Sequence, residues 1–180
     1  MMDCHTHILF GVDDGAKTLE ESLAMLQLQY DFGHQHVYLT PHVNHPFQKV
    51  TREQHHQNFQ KLQQALTIPV QCTLWAEIYV GYTLPDLLWD DYLVHGCALL
   101  LETSPQTPIP LLDHCFELIQ RGYRIILAHI ERYAWLSWED LQTLKEWGVL
   151  FQGNRRAYLE KKHPTHAQVM RLWKRGYVDI

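Results

Sequence analysis

Short apolar runs alternate with longer stretches of helical period along the whole chain, and this alternation restricts the fold more than any other feature. The runs at residues 2–5, 36–40, 70–76, 97–101, 124–128 and 149–152 are predicted to be buried strands, each followed by a helix candidate. Strands that are buried on both faces and separated by helices form a parallel sheet, either open or closed into a barrel. The sequence therefore predicts an α/β fold that binds its ligands at the carboxyl ends of the strands.

Residues that typically begin and end helices lie between the predicted strands. Thr18 with Glu21, and Thr51 with Gln54, fit the capping-box pattern, and Ser137 can cap a helix that has acidic residues in its first turn. Several glycines follow helical stretches and precede apolar runs, as C-terminal caps do: Gly33, Gly122, Gly148 and Gly176. These boundaries divide the chain into repeated strand and helix units.

The length and composition of the chain are typical of one domain with one hydrophobic core. Its 180 residues are 46% hydrophobic, so we expect residues 1–180 to form a single domain. A formal net charge of −5 provides no general basic field for nucleic acid. The sequence shows neither a signal peptide nor an apolar run of membrane-spanning length, which predicts a cytoplasmic protein without membrane insertion. The four cysteines form no Cys-x-x-Cys pair and are expected to be reduced.

Histidine and glutamate residues fall at the carboxyl ends of successive predicted strands. In chain order these residues are His5, His7, His42, Glu77, Glu102 and His129. Residues i and i+2 of an extended segment point to the same side, so His5 and His7 can bind one cation. Imidazole and carboxylate donors together suit Mn, Fe or Zn, and Asp13 and Asp14 in the loop after the first strand can supply further oxygens.

Each of these signals is weak when it is taken alone. An isolated His-x-His pair is often a polar loop feature, and Glu77 or Glu102 alone could be a partnered buried acid. Several unpaired buried carboxylates would be costly, so the combination favours a metal site. The role of His45 is open. The other histidines are interpreted as solvated or structural: His34, His36, His55, His56, His95, His114, His163 and His166.

One motif is interpreted as accidental. Cys115 and Arg121 satisfy the Cys-x5-Arg pattern of cysteine-based tyrosine phosphatases, in which free backbone N–H groups of a loop bind the phosphate. Here Leu112, Cys115 and Ile119 follow helical spacing, so a helix would consume those N–H groups. A cysteine mechanism is therefore not expected.

Several motifs together resemble one family of enzymes. They are Asp-Cys-His-Thr-His at residues 3–7, Gly-Val-Asp-Asp-Gly-Ala-Lys at 11–17, Thr-Pro-His at 40–42, Ala-Glu-Ile-Tyr at 76–79 and Ala-His-Ile-Glu-Arg-Tyr at 128–133. In this combination the chain is similar to the bacterial protein-tyrosine phosphatases of the polymerase-and-histidinol-phosphatase (PHP) superfamily that are encoded with capsule and exopolysaccharide genes. The resemblance implies a distorted (β/α)7 TIM-like barrel with three metal ions, typically manganese, at the carboxyl rim of its strands.

The resemblance also implies a role for each matching ligand. His5 and His7 match ligands of a first metal, and Glu77 matches the carboxylate that bridges this metal to a second. Glu102 and His129 match the other ligands of the second ion. A third ion would be bound by Asp14 and His42.

The resemblance further implies a phosphate-binding arginine and a substrate. Arg132 matches an arginine that binds the substrate phosphate through bidentate donors, the alternative being an arginine paired with Glu131. The expected reaction is direct hydrolysis of phosphotyrosine without a covalent phosphoenzyme. The expected partner is a phosphotyrosine protein, the tail of a bacterial tyrosine autokinase that controls polysaccharide export.

The end of the chain departs from the family pattern. Members of the family complete their site with an Asp-x-His motif just beyond the last strand. In this sequence a helix is predicted to end at Gly176, and the chain stops at Ile180 inside the seventh predicted strand that follows. The expectation is a C-terminally truncated domain whose last strand and closing element are incomplete. Two alternatives stay open, namely a small-molecule phosphatase of the histidinol-phosphate type and a catalytically inactive metal-binding protein.

Overall fold

Parallel strands form the core of residues 1–79. In the computed structural model, which describes residues 1–94 and 96–180, these residues form one compact unit and residues 80–180 form another. The strands of the first unit are β1 (Met2–Thr6), β2 (His36–Leu39), β3 (His42–Val43), β4 (Gln71–Leu74) and β5 (Glu77–Tyr79). The sheet of the first unit has the order β1-β2-β4 and is parallel, and β3 pairs in parallel with β5.

Two helices of the first unit bury apolar residues against this sheet. They are α1 (Leu19–Asp31) and α2 (Arg52–Ala65). Leu26 of α1 and Leu62 of α2 are fully buried in one cluster with Val37 and Leu39 of β2. Burying a leucine side chain contributes roughly 1.5–3 kcal/mol, so this cluster holds the helices on the sheet and fixes the carboxyl ends of its strands.

The second unit repeats the same organisation. Its parallel strands lie in the order β6 (Ala98–Glu102), β7 (Arg124–Leu127) and β8 (Leu150–Phe151). Its helices are α3 (Leu111–Gln120), α4 (Trp138–Glu146), α5 (Arg155–Leu159) and α6 (His166–Lys174), with short 3-10 helices at Trp89–Tyr92 and Ile130–Arg132. The central residues of the strands, such as Leu99, Leu101 and Leu127, are fully buried.

The predicted N-caps are present, although only one is a reciprocal capping box. The hydroxyl groups of Thr18 and Thr51 accept hydrogen bonds from the third helical N–H at 3.2 Å. The side chain of Glu21 accepts a bond from the backbone N–H of Lys17 instead of that of Thr18. At α4, Ser137 and Asp140 satisfy each other's backbone N–H groups, which closes the full box. The predicted glycine caps all have positive φ angles: Gly33, Gly122, Gly148 and Gly176.

Two strand predictions need correction. The run at residues 70–76 leaves the sheet after Leu74, so Glu77 begins the short strand β5 and does not end the third strand. The backbone changes partners there, because Trp75 donates to Leu39 while Glu77 donates to Pro41. Residues 175–180 are described without a regular strand, although Asp179 donates to Phe151 O at 2.9 Å.

The parallel α/β organisation predicted from the alternation is confirmed in both units. That residues 1–180 form a single domain stays a prediction. His95, one of the histidines interpreted as solvated or structural, lies outside the described residues. Across the part of the chain that is described, no helix combines the length and the apolar character needed to cross a membrane.

His55 on α2 is expected to make the protein acid-sensitive. The side chain is fully buried, and within the described residues its ring nitrogens have no hydrogen-bond partner. Burial, with the nearby Arg52 guanidinium, lowers the pKa of His55 to about 4 from 6.5. As the pH falls below 6.5 the unfolded chain takes up this proton first, so the contribution to stability is complete above pH 6.5 and is lost towards pH 4.

We therefore expect His55→Leu to remove part of the pH dependence of unfolding. Between pH 7 and pH 4.5 the free energy of unfolding of the wild type should fall by roughly 2–3 kcal/mol more than that of the variant. Urea titrations at both pH values measure the difference. His56→Gln changes the exposed neighbour on the same helix and serves as the control. Parallel pH profiles for the wild type and His55→Leu would contradict the prediction.

Candidate metal centre

Three imidazoles of the first unit converge on one carboxylate oxygen. His5 lies in β1 and His7 directly follows that strand, and their Nε2 atoms lie 3.1 Å and 3.2 Å from Glu77 Oε2. His42 is the register partner of Glu77 across β3 and β5, and its Nδ1 lies 3.3 Å from the same oxygen. Glu77 itself is 0% exposed. A carboxylate so far from water needs cationic neighbours to stay ionised.

The loop after β1 supplies a second acidic group to the cluster. Asp13 Oδ2 lies 2.8 Å from His7 Nδ1, while Asp13 Oδ1 accepts the backbone N–H of Gly15 at 2.9 Å. Asp14 is the exposed member of the pair, and its Oδ1 lies 3.5 Å from His42 Nε2. Asp13 therefore orients His7 through the ring nitrogen that does not face Glu77, which is how ligand histidines are usually held.

Gly15 is required for this arrangement of the loop. A Cβ atom at residue 15 would lie 1.8 Å from the carbonyl oxygen of His7. The same carbonyl accepts the backbone N–H of Ala16 at 3.1 Å. Only glycine lets the loop pack this closely on the end of β1, so the positions of Asp13 and Asp14 depend on it.

The cluster attracts positive charge strongly. Burial alone would lower the pKa of His7, but its hydrogen bonds with Asp13 and Glu77 raise the pKa to about 10. Burial would likewise raise the pKa of Asp13, and its hydrogen bond with His7 holds that pKa below its ordinary value. Both pKa shifts favour a positively charged His7 next to the Asp13 and Glu77 carboxylates. A bound cation would provide the same compensation of negative charge.

The spacing of the donor atoms fits metal coordination. Two sets of donors each lie within 4.8 Å of one another, the first made of His5, His7 and Glu77 and the second of His7, Asp14 and His42. Ligand atoms held about 2.1 Å from a metal ion are separated from each other by roughly 3.0–3.5 Å, which is the spacing seen around Glu77 Oε2. A mixed set of imidazoles and carboxylates suits Mn, Fe or Zn.

The remaining predicted ligands lie in the second unit. Glu102 is the last residue of β6 and His129 follows β7, and Glu102 Oε2 lies 3.8 Å from His129 Nε2. Both residues are buried. The second unit thus presents a carboxylate and an imidazole at the ends of neighbouring parallel strands, as the sequence pattern predicts.

Arg132 lies in the 3-10 helix that follows His129. Its side chain is exposed, and within the described residues it forms no ion pair. Glu131 is buried and faces the backbone N–H of Asn154 at 3.4 Å, so the alternative of an Arg132–Glu131 pair is not observed. The five donors of the Arg132 guanidinium are therefore available to an anion from solvent.

The Cys-x5-Arg pattern is accidental, as the helical spacing indicates. Cys115 is buried within α3, and burial raises the pKa of its thiol to about 12. Arg121 pairs with Glu117, one turn earlier on the helix. A protonated thiol enclosed in a helix cannot act as a phosphate-loop nucleophile.

Some features of the cluster carry no clear signal in the sequence. Asp13 and Asp14 are adjacent acids, and only the folded loop distinguishes the orienting role of Asp13 from the exposed position of Asp14.

The structure also describes the surroundings of His45, whose role the sequence leaves open. The centre of its ring lies 4.7 Å from that of the His42 ring and 5.5 Å from that of the Tyr79 ring. It contributes to the wall beside the cluster.

Comparison with known proteins places these features in context. A family model described as "Capsular polysaccharide synthesis, CpsB/CapC" matches residues 1–180. The tyrosine-protein phosphatase CpsB of Streptococcus pneumoniae is 30% identical over 142 residues, which cover 74% of this chain and 58% of the relative. CpsB of Streptococcus agalactiae is 50% identical over 42 residues, or 23% of this chain and 17% of the relative. The chain thus spans less than two thirds of these curated relatives.

A solved structure shares the fold. It comes from work on YwqE from Bacillus subtilis and CpsB from Streptococcus pneumoniae, described there as unique metal-dependent tyrosine phosphatases. Its TM-score is 0.80 at 24% sequence identity, and the match covers 99% of this chain and 76% of that chain.

Proposed function

This chain belongs to the CpsB/CapC family of capsular polysaccharide synthesis, and we propose that it is a metal-dependent protein-tyrosine phosphatase of the PHP superfamily. The observation that carries the proposal is the convergence of His5, His7 and His42 on the fully buried Glu77 carboxylate. The relatives named tyrosine-protein phosphatase CpsB support the same reaction.

Divalent cations, with manganese as the first choice and iron or zinc as alternatives, are the proposed cofactors. In the first unit His5, His7, Asp14, His42 and Glu77 would hold them, and in the second unit Glu102 and His129. The donor set fits, because its imidazole and carboxylate atoms have the spacing of a coordination shell. Bound divalent cations supply Lewis-acid stabilisation of phosphoryl oxygens and lower the pKa of water in such sites.

The protein side chains supply orientation and phosphate recognition. Asp13 fixes the proton of His7 on Nδ1 and leaves Nε2 facing Glu77. Arg132 binds two oxygens of the phosphoryl group through its planar guanidinium and offsets the charge that grows on them in the transition state. Water attacks phosphorus directly and the tyrosine phenolate leaves, so no covalent phosphoenzyme is formed.

A cleft beside the cluster is the proposed approach for the substrate. Its volume is about 480 Å³, and its lining includes Asp14, Lys17, Phe47 and Lys49. Phe47 is 90% exposed, which makes it available to pack against an aromatic side chain, and the lysines suit a phosphorylated peptide. The substrate is thus proposed to be a phosphotyrosine protein, the tail of a bacterial tyrosine kinase.

Family membership also supports a finer description of the chain. We infer a single PHP-type domain over residues 1–180 with the distorted (β/α)7 TIM-like barrel of that superfamily. A cytoplasmic location agrees with a tyrosine kinase tail as partner. Nucleic acid is not a proposed partner, because the formal net charge is −5.

Metal content and substrate choice test the proposal together. The purified chain, stripped with a chelator and reloaded with Mn²⁺, should bind the ion as measured by elemental analysis and should hydrolyse a phosphotyrosine peptide. The stripped protein should be inactive. The matched phosphoserine peptide and histidinol phosphate serve as comparison substrates and should turn over more slowly. Absence of bound metal would overturn the metal proposal, and faster turnover of histidinol phosphate would overturn the assigned substrate.

A further inference from the structure

The phenol of Tyr133 touches both ligand-bearing strand ends of the second unit. Tyr133 is 1% exposed and directly follows the 3-10 helix Ile130–Arg132. Its hydroxyl oxygen accepts the backbone N–H of Thr103, the residue after Glu102, at 3.2 Å. The same hydroxyl lies 3.2 Å from His129 Nδ1. One buried oxygen thus connects the backbone beside the carboxylate to the ring of the imidazole.

The backbone of His129 is held in an uncommon conformation. Its φ angle is +35°, in the left-handed region that residues other than glycine rarely adopt, and such a conformation costs on the order of 1 kcal/mol or more. The buried side chain of Gln152 accepts the His129 N–H at 2.7 Å and compensates part of this cost. The ring of His129 is therefore fixed from the backbone as well as from Tyr133.

Binding of a cation through Nε2 would require one particular tautomer of His129. Nε2 is the nitrogen that faces Glu102, at 3.8 Å from its Oε2. An imidazole that binds a cation through Nε2 must carry its proton on Nδ1, and this proton then needs an acceptor. The Tyr133 oxygen has two lone pairs, so it can accept from Thr103 N–H and from His129 Nδ1–H at the same time. A phenylalanine ring would fill the same space without this acceptor.

We propose that Tyr133 is a positioning residue for the metal site: its hydroxyl oxygen sets the Nδ1–H tautomer of His129 and fixes Glu102 and His129 relative to each other. This inference rests on the proposed function, since it assigns the Glu102–His129 pair to a divalent cation. Tyr133 acts through the two ligands and does not touch the reacting atoms. It contributes preorganisation, which outer partners of metal ligands usually provide.

The test compares Tyr133→Phe with Tyr123→Phe. The matched control removes a phenol hydroxyl that donates to Asp90 Oδ1 at 2.8 Å, away from the ligand pair. Calorimetric titration with Mn²⁺ should show one class of ion bound about 10–100-fold more weakly by Tyr133→Phe, and wild-type binding by Tyr123→Phe.

A measurement on the wild type does not depend on the folding of a variant. Nitrogen-15 spectra of the metal-free protein report which ring nitrogen of His129 carries the proton, and we expect Nδ1–H. A neutral Nε2–H ring would overturn the inference. So would wild-type Mn²⁺ affinity in Tyr133→Phe, including the case in which only its thermal midpoint falls.

His129→Ala separates this inference from the proposed function. If His129→Ala loses the ion and Tyr133→Phe keeps it at full affinity, only the role of Tyr133 is contradicted. If His129→Ala binds as many ions as the wild type with equal affinity, the pair is not a metal site, and the proposed function loses these ligands together with the inference.

Discussion

Glu77→Gln is expected to abolish metal binding by the cluster of the first unit and to reduce phosphotyrosine turnover by on the order of 10³-fold or more. The substitution keeps the size and shape of the side chain and removes only its charge. Three imidazole nitrogens lie 3.1–3.3 Å from the oxygen concerned, so a neutral amide there cannot offset a divalent cation among them. Losing an outer partner of a metal ligand costs roughly 10–100-fold, and losing a central ligand should cost more.

Elemental analysis after dialysis against Mn²⁺ and single-turnover assays on a phosphotyrosine peptide measure this effect. Glu53→Gln makes the same chemical change at an exposed carboxylate on α2 and should leave metal content and turnover unchanged. Circular dichroism shows whether both variants are folded. Wild-type metal content in folded Glu77→Gln would mean that the buried carboxylate is not a ligand.

Arg132→Ala should have the second largest effect, with kcat/KM lowered on the order of 10²–10³-fold, as for loss of one donor to a developing oxyanion. The guanidinium is exposed and forms no ion pair within the described residues, so its removal should leave the fold intact. Arg132→Lys keeps the charge but loses the planar pair of donors, and it should recover only part of the activity.

Steady-state kinetics on a phosphotyrosine peptide, together with metal analysis, identify the cause of the loss. Bound metal should be unchanged in both Arg132 variants, which separates this prediction from the one on Glu77. Arg156→Ala removes another exposed arginine, which lies on α5 and pairs with Glu160, and it should retain full activity. A change of less than about twofold in kcat/KM for Arg132→Ala would show that the arginine does not bind the phosphoryl group.

The sequence predicts the strands and most of the strand-end residues because these depend on local patterns. Apolar runs bounded by glycines are governed by burial and turn geometry, and both can be inferred from neighbouring residues. The alternation of an extended strand places His5 and His7 together without any tertiary information.

Tertiary contacts account for what the patterns miss. Glu77 starts β5 because the chain changes its backbone partner at Trp75, a change that depends on the neighbouring strand. The sequence does not distinguish the role of Asp13 from that of Asp14, and the hydrogen bond from His7 Nδ1 to Asp13 exists only in the folded loop. The left-handed backbone of His129 depends on Gln152, which lies distant in the sequence.

Because Gly15 packs closely against His7, the loop that carries Asp14 and the end of β1 cannot move independently of each other. Two backbone hydrogen bonds hold the loop that carries Asp14 in place. The Ala16 N–H donates to the His7 carbonyl at the end of β1, and the Gly11 N–H donates to the Ala16 carbonyl at 2.8 Å. Since no space remains between residue 15 and His7, a displacement of the loop would also displace His7. Asp14 and His7 would therefore keep or lose their positions together. A side chain larger than that of glycine at residue 15 would be tolerated only if both of these residues moved away from the positions described above.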